Sequence, residues 1–291
     1  MMNLIATFSI VAYDSHEKAC GIAVASKFPG VGAVVPWAEA NSGAVATQSY
    51  ANTTFGPKGL ALMKKGVTAS ETLEQLLEAD QERELRQVGM VDPAGNAVSF
   101  SGKKCMDWAG GTTGENFAAQ GNILTGPETI DAMVEAFLEA EGNLPTRLYQ
   151  SLLAGDRAGG DRRGRQSAAI LVVKESGGYG GFNDRWLDYR VDDHEDPVPR
   201  LGELIDMHEL YFGESSESDQ VEMAGDVLKS LQRIATKLGY YQGPTTDQYD
   251  HDTRDALRRF IGNENFEDRT DFEEGKIDQP VLEYLLKKFG Q

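Results

Sequence analysis

The sequence predicts an α+β fold: a four-layer α-β-β-α sandwich of two stacked antiparallel sheets, followed by a small all-α domain of three helices. Its first strands are short runs of β-branched and small apolar residues without clean alternation: T-F-S-I-V-A-Y from Thr7, C-G-I-A-V-A-S from Cys20 and G-A-V-A-T-Q-S-Y from Gly43. Such runs belong to strands covered on both faces. Hairpin signals join successive runs, so the strands pair antiparallel. Helical segments come between groups of strands, and with both sheets stacked they must lie outside. A doubly wound parallel sheet is the alternative; the hairpins, and the lack of G-x-G-x-x-G after the first strand, count against it.

Taken in order, Thr7 to Tyr13, Cys20 to Ser26 and Gly43 to Tyr50 are strands, separated by S-H-E-K and by the loop F-P-G-V-G-A-V-V-P-W. Helices begin near Phe55 and Ser70, the second placing Leu73, Leu76 and Leu77 on one face. L-R-Q-V-G-M-V and A-V-S-F-S-G form a hairpin about D-P-A-G-N, whose Pro and Gly suit a tight turn. A strand through Phe117 to Gln120 follows. Pro127 and Pro145 each open a helix, where the missing N–H does no harm. Ser167 to Lys174 and Trp186 to Val191 pair around E-S-G-G-Y-G-G, and a helix from Pro199 to Phe212 closes a first domain of residues 1–212. The polar stretch 213–220 reads as a linker. Residues 221–291 form the helical module: Val221 to Leu238, Asp252 to Ile261 and Gln279 to Phe289, with G-Y-Y-Q-G as a stop.

Lys and Arg total 28 against 46 Asp and Glu, a formal charge of −18 that repels phosphate backbones and anionic lipid. Nucleic acid and membranes are therefore not expected partners. Cys20 and Cys105 sit in apolar, strand-like segments and are expected to be buried reduced thiols. The opening has no Lys or Arg before its apolar residues and is broken by Asp14, so a cytoplasmic protein is expected. His16, His194, His208 and His251 are too scattered for a zinc motif, and neither a metal nor a cofactor is expected. There is no G-x-S-x-G elbow and no phosphate-cradling loop.

The chemistry centres on Thr7. A threonine heading a hairpin becomes a nucleophile if the chain is cut just before it, because the freed α-amine can take the hydroxyl proton and a backbone amide cannot. Here M-M-N-L-I-A precedes it, so loss of Met1 alone does not free it. Thr7 is equally a good β-former. Lys27, at the end of the second strand, is placed to keep that amine neutral, or else is a solvated strand-end lysine. Thr47, Gln48 and Asn52 end the third strand, where oxyanion donors are needed; Thr47 pairing across the sheet and Asn52 capping the helix at Phe55 are the structural alternatives. In G-G-D-R-R-G-R-Q-S, Arg162, Arg163 and Arg165 can read a substrate carboxylate bidentately with Asp161 orienting one of them, or can form an ion-pair knot about Asp161.

These segments, with G-A-V-V-P-W-A from Gly32, F-G-P-K-G-L-A-L from Phe55 and A-A-Q-G-N-I-L from Ala118, resemble the domain of unknown function 1028 family across residues 7–212. The resemblance implies an N-terminal-nucleophile hydrolase-like fold and leaves the function open. The expectation is an amidohydrolase acting on a small amide or acylated amino acid that bears a carboxylate. Its alternative is a catalytically silent protein of the same fold that binds a ligand or partner. L-Q-R-I-A-T-K-L-G-Y-Y-Q-G and D-T-R-D-A-L-R-R-F are similar to a peptidoglycan-binding helical domain, which implies a peptidoglycan-like ligand; Tyr240, Tyr241 and Tyr249 are the residues read as available to stack on it. A cytoplasmic role in oligomer contacts or substrate presentation is the favoured reading of that module, and a homo-oligomer is expected.

Overall fold

The computed structural model describes residues 7–213 and 216–290. The segment M-M-N-L-I-A before Thr7 and two residues of the linker, Glu214 and Ser215, lie outside the described residues. The chain divides into two compact units between Ile205 and Asp206.

Among the described residues the first unit contains ten strands, four helices and most of a fifth. In chain order they are β1 (Thr7–Asp14), β2 (Ala19–Ser26), β3 (Pro36–Glu39), β4 (Gly43–Ser49), α1 (Phe55–Met63), α2 (Ala69–Glu78), β5 (Arg86–Val91), β6 (Ala97–Ser101), β7 (Gly110–Gly114), β8 (Phe117–Asn122), α3 (Glu128–Glu139), α4 (Leu144–Arg157), β9 (Ser167–Val173), β10 (Arg185–Val191) and α5 (Pro197–Phe212). One sheet has the order β10-β9-β2-β1-β8-β7 and the other β3-β4-β5-β6, every pairing being antiparallel. The two sheets stack, with Val11, Ile22 and Val24 of one packed against Ala44, Ala46 and Val91 of the other. On the outer face of the six-stranded sheet, Phe8, Ile10 and Ala12 pack with Met133, Phe137, Leu148 and Leu152 of α3 and α4. On the outer face of the four-stranded sheet, Val45, Val88 and Met90 pack with Phe55, Leu60 and Leu73 of α1 and α2. The result is the expected α-β-β-α sandwich.

Local chemistry explains the helix starts. Thr68 caps α2 in a reciprocal capping box with Glu71, and the Asn143 side chain accepts from the Thr146 N–H before Pro145 in the first turn of α4. In the first unit two strands escaped the sequence reading: β3 overlaps the end of the stretch read as loop, and β7, G-G-T-T-G, has no apolar residue to signal it. Cys105 is in a bend rather than a strand and is only half-buried, whereas Cys20 is buried in β2.

The second unit contains the end of α5, then β11 (Gln220–Glu222), α6 (Gly225–Lys237), α7 (His251–Asn263), β12 (Thr270–Asp271), β13 (Lys276–Asp278) and α8 (Gln279–Phe289). The three helices enclose a core of Leu228, Leu231, Leu257, Phe260, Phe266 and Leu285. A short sheet of order β11-β13-β12 joins them, which the sequence reading did not contain. Pairing of Gln220–Glu222 with Lys276–Asp278 is why the first helix begins at Gly225 and not at Val221. Among the described residues no helix is long and apolar enough to cross a membrane.

Candidate active site

Alternation along β1 sends Phe8, Ile10 and Ala12 to the helices and Thr7, Ser9 and Val11 to the space between the sheets. Register then aligns polar residues across the six-stranded sheet. Thr7 is opposite Ser26 of β2 on one side and Asn122 of β8 on the other, and Ser26 is opposite Ser167 of β9. In the facing sheet Gln48, Gln87 and Ser101 are successive partners. Directly opposed residues share a face. One end of the inter-sheet layer is therefore polar although it is fully buried: Thr7, Ser9, Gln48, Gln87, Gln120 and Asn122 all have 0% exposure.

Hydrogen bonds tie this layer together. Thr7 Oγ1 donates to Ser26 Oγ at 3.3 Å. Gln48 Nε2 is shared among the Thr7 carbonyl at 3.3 Å, Gln87 Oε1 at 2.9 Å and the Gln120 carbonyl at 3.3 Å. Ser9 Oγ donates to Gln48 Oε1 and accepts from Gln120 Nε2, each at 2.7 Å. Asn122 Nδ2 donates to Gln87 Oε1 at 2.8 Å. Gln120 Oε1 and Asn122 Oδ1 are buried without a partner. Each orphaned acceptor costs about 1–3 kcal/mol.

Of the expected site residues, the structure brings Thr7 and Gln48 together and sends the others elsewhere. Gln48 binds the Thr7 main chain, so its amide is committed to positioning rather than presented to an incoming oxyanion. Thr47 points to the face covered by α1 and donates to the Asn52 carbonyl at 3.3 Å. Asn52 serves the turn before α1, accepting from the Thr54 N–H and hydroxyl and donating to Asp80 at 3.0 Å. Asp80 also faces Arg86; burial pushes its carboxyl up, but the hydrogen bonds from Arg86 and Asn52 prevail and hold it at about 2. Lys27 is exposed and does not meet Thr7. Its ammonium donates to the Arg165 carbonyl at 3.0 Å, because the strand ends at Ser26 and the next side chain turns toward the 161–165 loop.

The arginine loop is largely an ion-pair knot. Asp161, buried at 5% exposure, accepts from the Lys27 N–H at 2.8 Å and from the Arg163 N–H, Nε and Nη2 at 2.9–3.1 Å. Asp161 thus holds Arg163 in place. Arg165 pairs with Asp156 of α4 at 2.8 Å and with Asp196 at 3.2 Å. Arg162 is exposed and has no side-chain partner among the described residues. A cavity of about 320 Å³ opens beside the loop, lined by Phe8, Ala25, Ser26, Asp156, Asp161 and Arg165 among others. Ser26 connects it to the polar layer, since it lines the cavity and its hydroxyl accepts from Thr7.

Ser9, Ser26, Gln87, Gln120 and Asn122 were not singled out from sequence. Their signal was available as isolated polar residues in otherwise apolar strands, Thr7 and Ser9 two apart in β1, Gln120 and Asn122 two apart in β8. In the second unit the tyrosines are structural. Tyr241 is 7% exposed, with its hydroxyl on the Pro244 carbonyl, and Tyr249 donates to the Phe272 carbonyl, so neither is the open platform expected. Tyr240 packs in a tilted contact with Phe260, ring centroids 5.8 Å apart.

The two stacked antiparallel sheets with helices outside them are the fold that the family resemblance implied, with Thr7 at the head of a strand that borders its buried polar layer. Residues 7–201 match the model described as "Family of unknown function (DUF1028)", and the chain belongs to that family. Residues 211–285 match a second model, described as "Putative peptidoglycan binding domain". Among solved structures, the chain is similar to a protein from Silicibacter pomeroyi described as belonging to the same family. The two share 29% identity with a TM-score of 0.64, over 74% of this chain and 89% of that one. No curated protein matches the chain.

Proposed function

We propose that the chain is an amidohydrolase of the N-terminal-nucleophile type once the Ala6–Thr7 bond has been cut. The observation that carries this reading is the place of Thr7: first residue of β1, in the polar end of the inter-sheet layer, its hydroxyl on the one residue that also lines the neighbouring cavity. The freed α-amine, ordinarily titrating near 8, takes the proton from Oγ1 as the oxygen attacks the amide carbonyl. The amine of the substrate leaves with that proton, and water then hydrolyses the ester. A backbone amide cannot take that proton, so removal of the preceding residues is part of the proposal. Gln48 holds the Thr7 carbonyl and Asn122 flanks the nucleophile, while Lys27 acts only through the loop. In this reading residues 1–212 carry the chemistry, 213–220 link, and 221–291 bind.

The test is turnover of a panel of small amides by a chain beginning at Thr7 and by its Thr7→Ala partner. The first should hydrolyse at least one substrate and the second should be slower by about a thousandfold or more. Equal rates remove the threonine from the mechanism. Intact mass of the purified protein reports whether cleavage before Thr7 occurs.

A second reading has its own support. The match over 211–285 and the complete burial of Thr7 favour a silent protein that binds a glycan-type or peptide ligand through the second unit. That unit has a polar cavity of about 670 Å³ edged by Gln220, Arg258, Asp268 and Phe272. Sedimentation with purified peptidoglycan sacculi tests it, retention of the full-length chain and not of residues 1–212 being the supporting outcome.

A further inference from the structure

The charged walls of the 320 Å³ cavity sort into two sets. Asp161 is saturated by the Lys27 and Arg163 donors, and Asp156, Arg165 and Asp196 form a chain of ion pairs. Those charges are spent on one another. Two remain. Arg157, in the last turn of α4, and Glu195, before α5, both line the cavity and are both exposed. Among the described residues neither side chain has a hydrogen bond or an ion pair. Arg157 also stands on a fixed stem: Gly159 and Gly160 follow it at φ +123 and +53, and a Cβ on Gly159 would come within 2.4 Å of Thr125 Oγ1.

One unspent cation and one unspent anion in the same cavity complement a ligand carrying one charge of each sign. A guanidinium reads a carboxylate in fork geometry, and a carboxylate accepts from an ammonium. An N-acylated amino acid would satisfy Arg157 and leave Glu195 facing an uncharged amide. A free amino-acid head satisfies both. The volume is at the lower end of the roughly 300–1,000 Å³ usual for small-ligand sites, as an amino-acid head requires.

We propose that this cavity binds the zwitterionic head of an α-amino acid, its carboxylate on Arg157 and its ammonium on Glu195. The amide presented to Thr7 is then one on the side chain of that head, of the γ-glutamyl kind. The cleavage part rests on the proposed role of Thr7; the binding part does not. Ser26 joins the two, since it lines the cavity and bonds the Thr7 hydroxyl.

The test is calorimetry on the full chain carrying Thr7→Ala, which forms no ester, with three probes. These are γ-L-glutamylanilide, its N-acetyl derivative, which lacks the ammonium, and 4-aminobutyranilide, which lacks the carboxylate. The first should bind at least tenfold more tightly than either of the others. Arg157→Gln and Glu195→Gln should each weaken it at least tenfold, Arg157→Lys less than Arg157→Gln, and neither Gln substitution should alter thermal unfolding because both side chains are exposed. Arg157→Gln should leave 4-aminobutyranilide unaffected. Equal binding of the N-acetyl probe, no binding of any probe at millimolar concentration, or indifference to both substitutions overturns the proposal. Turnover separates it from the catalytic reading. A Thr7-leading chain that hydrolyses only N-acyl amino acids overturns the zwitterion and spares the nucleophile. Tight binding without turnover does the reverse.

Discussion

The two faces of β1 differ in kind although both are buried. Toward the helices it presents Phe8, Ile10 and Ala12, packed without a polar atom among them; toward the other sheet it presents Thr7 and Ser9, equally buried, bonded to the Gln48 and Gln120 amides and through Gln48 to Gln87 and Asn122. The helix-facing side holds the sandwich together by area removed from water. The sheet-facing side returns less stability, since it leaves Gln120 Oε1 and Asn122 Oδ1 without partners. The difference teaches that strand alternation alone, one residue apart, separates the apolar packing from the buried polar layer, with Phe8 also reaching the edge of the cavity.

That contrast can be broken by substitution. Phe8→Ala, which empties a fully buried ring site beside α4, should cost about 3–5 kcal/mol in urea unfolding. Ser9→Ala, which leaves both Gln48 Oε1 and Gln120 Nε2 short of a partner, should cost about 1–3 kcal/mol. If Ser9→Ala proves as damaging as Phe8→Ala, the division of labour between the faces is wrong. Gly89→Ala sharpens the same point: its Cβ would be 2.0 Å from Gln120 Oε1, and the overpacking should cost about 1–3 kcal/mol, part of it recovered by adding Gln120→Ala.

Smaller effects are read by titration. Asp80 is held at about 2 when folded against an ordinary 3.8, so its contribution is complete above 3.8 and is lost as pH falls from there through about 2. The stability gap between the wild type and Asp80→Asn should therefore close across that window and be constant above it, as followed by urea midpoints. Smallest of all is a labelling difference. Burial pushes the Cys20 thiol up to about 12, with its Sγ on the Gly43 carbonyl, so iodoacetamide at pH 8 should reach Cys105 first and Cys20 only on unfolding. Two fast labels on the native chain would mean that the inter-sheet layer opens.

The layers were legible in the sequence because unalternating apolar runs and proline-led helices are local signals. The helix at Phe55 and the strands at Thr7 and Cys20 begin within a residue of their expected places. β3 and β7 were not legible, one being folded into a loop-like run and the other made of glycine and threonine. The polar layer was hidden for a different reason. Ser9 and Gln120 are 111 residues apart and Gln48 and Gln87 are 39 apart, so their meeting depends on register between strands, which no local pattern encodes. Lys27 misled because adjacency in a strand suggested adjacency in space, whereas consecutive side chains leave on opposite sides.

Asp161 ties residue 27, at the end of one strand, to residue 163, in the loop ahead of another, while the Lys27 ammonium closes the ring on the Arg165 carbonyl. A rim stitched in this way is already set before anything arrives. Whatever docks there spends little of its binding energy on ordering the wall, and Asp161→Asn should show itself first as slack in that rim rather than as a missing contact.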